Sequence, residues 1–206
     1  MPANDVTLHP QIPTVEIDIQ RRNRQGVDGQ KRIVTLIPPN AQGLLFIFHG
    51  TGGSADIIDK PAARYLALAA VQRGYAVIVP EAQEVTDGDQ NGDGQIRWNV
   101  VPILEENPDL QDIVAYSAMM TEQCHVPENG PRLALGMSNG GAFAITVGGA
   151  LPQFQAVISF CATGMSLVHE KTITPTAWFM CANDNHEVVS ASREEMGRRQ
   201  HGADRE

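Results

Sequence analysis

The chain has 206 residues, 42% hydrophobic and 19% charged, and its 15 Lys and Arg against 24 Asp and Glu leave a net charge of −9 at pH 7. That length encloses one sizeable core and predicts a single domain over 1–206, and the mixture is that of a globular protein rather than a disordered one. The acidic balance argues against a general nucleic-acid binder and against charge-driven docking on anionic membranes.

Residues 15–20 alternate apolar and polar, the pattern of a half-buried strand, and 32–37 read as a second strand stopped by Pro38-Pro39. Gly26 and Gly29 supply turn residues between them, so the pair predicts an antiparallel start. Residues 44–48 are continuously apolar, as in a strand buried on both faces. A helix is expected over 61–72, ended by Gly74, followed by a buried strand at 75–79 and a polar, glycine-rich stretch at 84–99. Helical patterns at 109–123, 139–150 and 187–199 alternate with strands at 132–136, 156–160 and 177–181. This alternation predicts an α/β fold: a mostly parallel sheet with helices on both faces. No apolar run reaches the ~18 residues of a membrane span, and the start, Met1 to Asp5, lacks the basic and apolar segments of a signal peptide.

In open α/β sheets ligands gather at the carboxyl ends of strands. Four such ends carry polar or glycine-rich sequence: 49–54, 81–99, 136–141 and 181–186. The most specific is Gly136-Met137-Ser138-Asn139-Gly140, a G-x-S-x-G directly after a strand and before a helix of small residues. That context is the one a nucleophile elbow requires, with glycines leaving room for a sharp turn that presents Ser138. Attack on an ester carbonyl creates an oxyanion that pre-aimed N–H groups must hold. Asn139, next after the serine, offers one; the loop His49-Gly50-Thr51-Gly52-Gly53 offers the other, with Thr51 preferred and Gly52 second. The same loop also fits a dinucleotide fingerprint at Gly50, Gly52 and Ala55, with Glu81 ending the next strand as a ribose-binding acid. That rival follows the third strand rather than the first and leaves 136–141 unexplained.

The triad order in this kind of site is Ser, then Asp or Glu, then His. Asp184 stands 46 residues after Ser138, beyond the last predicted strand. Of the histidines after it, His186 is too near in sequence, and His201 lies in a polar run that reads as a solvated helix end. The expectation is therefore that this chain stops before a last strand and its histidine, beyond Glu206. A non-catalytic binding module of the same fold is the second reading. Asp89, Asn91, Asp93 and the Gln95 carbonyl open a loop like that of an EF-hand, though Val100 stands where a bidentate Glu belongs. A structural Ca²⁺, not needed for catalysis, is the expectation there. A loop of modest affinity suits extracellular calcium and leans toward a secreted or periplasmic setting. Cys124, Cys161 and Cys181 form no C-x-x-C pair and read as small core residues, with Cys161 and Cys181 able to meet on neighbouring strands.

Taken together, His49-Gly50-Thr51, Pro80-Glu81, Trp98-Asn99, Asp112, Gly136 to Gly141 and Asp184 resemble the esterase branch of the α/β-hydrolases that holds polyhydroxybutyrate depolymerases and feruloyl esterases. The likeness covers about residues 44–190, with Thr51 where that branch usually has Cys. It implies a serine esterase acting on a small or polymeric ester through an acyl-enzyme. Ser138 would be the nucleophile, Asp184 the triad acid, and Thr51 and Asn139 the oxyanion donors.

Overall fold

The computed structural model describes residues 19–25, 30–164, 174–181, 189–194, 196 and 197. Their strands are β1 (Ile19–Gln25), β2 (Gln30–Leu36), β3 (Gly43–Phe48), β4 (Tyr75–Pro80), β5 (Arg132–Met137), β6 (Ala156–Phe160) and β7 (Thr176–Phe179). They form one sheet in the order β1-β2-β4-β3-β5-β6-β7. β1 and β2 pair antiparallel, as does β2 with β4; every pairing from β4 through β7 is parallel. The helices are α1 (Pro61–Gln72), α2 (Gln83–Asp87), α3 (Pro108–Gln123) and α4 (Asn139–Ala150), with a 3-10 turn at Ala55–Asp59.

β3 shows why the centre is parallel and doubly covered. All six of its residues are buried. Leu44, Phe46 and Phe48 join the cluster formed with Leu110, Ile113, Phe143 and Val147 from α3 and α4. Leu45 and Ile47 point the other way, into the cluster that includes Ala67 and Val71 of α1. The strand period of two thus sends alternate side chains into two layers of helix. A fully buried Phe or Leu contributes about 2 kcal/mol of transfer free energy, so the apolar run at 44–48 anchors both layers at once.

The structure adds to two sequence expectations. Of the strand expected at 15–20 only 19 and 20 lie among the described residues, and both are in β1, which runs on to Gln25. Among the described residues β1 is an edge strand, in register with β2 from Ile19 opposite Leu36 to Gln25 opposite Gln30. The stretch after β4 also contains a short helix, α2, that its polar residues concealed. α2 is fixed by a tertiary contact, Asp109 Oδ1 accepting the Gln83 N–H at 2.7 Å. Residues 189–194 are helical, within the helix expected at 187–199. Among the described residues no helix is long and apolar enough to cross a membrane.

Candidate active site

The elbow forms at the carboxyl end of β5. Ser138 has φ 54° and ψ −127°, a strained conformation for an L residue, and it is exposed. Its main-chain N–H donates to the Phe160 carbonyl at 2.8 Å, tying the bend to the end of β6. The Ser138 side chain makes no capping bond to α4, and the residue sits exposed at that helix's N-terminus. The partial positive charge of that terminus favours negative charge at this point. Two glycines permit the turn. A Cβ at Gly136 would lie 1.9 Å from the Gly140 carbonyl oxygen, and one at Gly140 would lie 2.3 Å from the His49 carbonyl oxygen. The strand, the helix and the 49–53 loop therefore meet backbone to backbone.

That loop touches the elbow directly. The Cβ position of Gly50 is 3.5 Å from Ser138 Cβ and 3.3 Å from the Met137 carbonyl oxygen. Within it the Gly52 N–H donates to the Ile96 carbonyl at 2.7 Å and the Gly53 N–H to Gly50 at 3.0 Å. Gly52, the second choice for an oxyanion donor, is thus spent holding the loop. No acceptor for the main-chain N–H of Thr51 or Asn139 is found among the described residues. Thr51 is exposed and follows Gly50, whose Cβ position lies against Ser138; Asn139 is half-buried and follows Ser138 itself.

His49 holds the loop from behind. It is 1% exposed, and its Nε2 accepts the Ala82 N–H at 3.2 Å. An amide can only donate, so Nε2 is unprotonated and Nδ1 carries the proton, which it donates to the Gly50 carbonyl at 2.8 Å. Burial pushes the His49 pKa below its ordinary value, so the ring is neutral at pH 7. With both nitrogens engaged it acts as a clamp and not as a base. His125 lies just past α3, a 16-residue helix about 24 Å long, at the opposite end from Asp109. Neither described histidine serves Ser138. Asp184, His186 and His201 lie outside the described residues.

Trp98 joins the parts. Its Nε1 donates to the His49 carbonyl at 2.9 Å, and its main-chain N–H donates to Asn139 Oδ1 at 2.7 Å. Asn139 Nδ2 returns a bond to the Trp98 carbonyl at 3.3 Å. The indole stacks on Phe143 with ring centroids 4.6 Å apart. Asn99, the next residue, donates its N–H to Asp109 Oδ2 at 2.9 Å. Asp109 is buried, and desolvation raises its pKa to about 6 against the opposing pull of its amide donors and of Lys31. Lys31 is itself fully buried and ion-paired with Asp112. This support was not legible as such in the sequence. Trp98-Asn99 and Asp112 stood out only through the family likeness, and nothing marked His49 or Asp109 as positioning groups.

The dinucleotide reading loses its donors here. Glu81 is buried, accepts the Arg32 guanidinium at 2.7 and 3.0 Å, and accepts the Ala55 N–H at 3.2 Å. Gly52, Gly53 and Ala55 thus give their amides to the protein, and a five-residue 3-10 turn follows where that fingerprint needs an α-helix. The calcium expectation gains no support either. Asp89 accepts the N–H groups of Gly92, Asp93 and Gly94; Asn91 accepts that of Asp93; Asp93 accepts that of Gln95 and pairs with Arg97. These bonds close the loop by themselves, and among the described residues no group of three or more His, Cys, Asp or Glu is arranged to hold a metal.

No family model matches the chain, and no curated protein matches it in sequence. Solved structures do match it in shape. A dienelactone hydrolase from Anabaena variabilis superposes with a TM-score of 0.65 at 18% identity, over 90% of this chain and 83% of that one. A cold-adapted esterase from an Arctic intertidal metagenomic library gives 0.66 at 12% identity, over 89% and 80%. An acylaminoacyl peptidase from Pyrococcus horikoshii gives 0.67 at 10% identity, over 90% of this chain but 35% of its own.

Proposed function

Starting from the α/β-hydrolase fold, which this chain adopts, we propose that the protein is a serine hydrolase of carboxylic esters, with Ser138 as its nucleophile. The single observation that carries the reading is the strained, exposed Ser138 at a strand-to-helix bend, packed against the Gly50 loop. Structural neighbours named as an esterase and a dienelactone hydrolase support ester chemistry, as does the likeness of the elbow to depolymerases and feruloyl esterases.

In this mechanism Ser138 Oγ attacks the ester carbonyl carbon while its proton passes to a base. The carbonyl oxygen takes up negative charge against the Thr51 and Asn139 N–H groups, which need no reorganisation because Trp98 and His49 already fix both segments. Collapse expels the alcohol and leaves an acyl-Ser138, which water then cleaves. Asp184 is proposed to orient the base. A serine hydroxyl is weak without a base, and His49 and His125 do not supply one.

That last point favours a second reading, a binding module that keeps the site's geometry without turnover. An organophosphonate separates the two. A hydrolase forms an adduct on Ser138 that Ser138→Ala abolishes, together with hydrolysis of a p-nitrophenyl ester. A binding module gives neither.

A further inference from the structure

We propose that Cys161 and Cys181 form a reversible disulfide, a covalent modification site that joins the ends of β6 and β7 beside the elbow. Their sulfurs lie 3.7 Å apart although the residues are 20 positions apart in the chain. Cys161 follows β6 directly and Cys181 stands two residues past β7. The two strand ends are already tied together, since the Cys161 N–H donates to the Phe179 carbonyl at 2.9 Å. Cys161 has φ 56°, which turns the chain out of the strand direction at that point. The 3.7 Å between the sulfurs must close to the ~2.05 Å of a disulfide bond. Phe160, adjacent to Cys161, holds the Ser138 N–H, so the bridge would sit next to the bend's own anchor.

The co-reactant is a low-molecular-weight disulfide. Cys181 is the exposed member, so its thiolate attacks one sulfur of the reagent, forms a mixed disulfide and expels one reagent thiolate. The Cys161 thiolate then attacks the Cys181 sulfur, breaks the mixed bond and expels the second reagent thiolate. The protein loses two electrons and two protons; the reagent gains both as two thiols. Cys124, at the end of α3, is an internal control, because burial pushes its thiol pKa up and no partner sulfur is near it among the described residues.

The test treats the reduced full chain with oxidised glutathione, alkylates it, and maps its peptides without reduction. The expected result is a peptide joined through Cys161 and Cys181 within one chain, with Cys124 alkylated. The joined form should melt about 6 °C higher than the reduced one, reversed by dithiothreitol and absent from Cys181→Ser. Recovery of Cys161 and Cys181 as separately alkylated or separately glutathionylated residues would overturn the proposal, as would a crosslink only between two chains. None of these readouts depends on hydrolysis, so this inference and the esterase reading fail independently.

Discussion

At Ser138 the backbone holds an L residue at φ 54°, a conformation that costs on the order of 1–3 kcal/mol and that glycine adopts freely. Ser138→Gly is therefore expected to raise stability by about 1 kcal/mol while removing any covalent labelling, as read by urea denaturation and by mass. A loss of stability would mean that the bend is not strained. His49 carries a second residue-scale prediction. Its folded pKa lies below its unfolded value near 6.5, so the unfolded state binds the extra proton first. The stability due to the neutral ring is complete above about pH 6.5 and is lost as pH falls below it. The advantage of wild type over His49→Gln in urea midpoint should shrink from pH 7.5 to pH 5. A constant difference would contradict the clamp.

Among the elements, the crossing of β5, α4 and the 49–53 loop leaves no room for a Cβ at Gly136 or Gly140. Gly136→Ala places a Cβ 1.9 Å from a backbone oxygen that cannot move away without unwinding α4, and it should cost more than about 4 kcal/mol, read as a collapse of the thermal transition. Asp109 links α3 to α2 and to Asn99. Its folded pKa of about 6 stands above the ordinary 3.8, so the folded state holds the proton more tightly. The favourable protonated form is complete below pH 3.8 and is lost as pH rises through 6. Wild type should therefore lose stability relative to Asp109→Asn between pH 4 and pH 6, by parallel urea titrations.

These elements also mark how far the sequence could be read. The span of α4 at 139–150 matched the pattern because most of its residues are buried, and that of β6 at 156–160 because its burial alternates with the strand period. The strand at Ile19–Gln25 runs past the expected 20 because its pairing with β2 continues to Gln25 opposite Gln30. The elbow was visible because its glycines and serine are contiguous. The clamp of His49, Trp98 and Asp109 was hidden because it is made of contacts 10 to 49 residues apart in the chain, between ordinary polar groups and backbone amides.

For the molecule as a whole, the sheet order and its parallel centre bring the ends of β3, β4, β5 and β6 to one rim. The elbow, the 49–53 loop and the Trp98 segment converge there. Fold alone does not choose a reaction, and the structural neighbours include a peptidase as well as an esterase. The most direct measurement is fluorophosphonate treatment of the full chain followed by peptide mass mapping. A hydrolase predicts a single stoichiometric adduct on Ser138 in the wild type and none in Ser138→Ala. Equal labelling of both proteins, or an untouched Ser138 in a folded wild type, would contradict its role as the nucleophile.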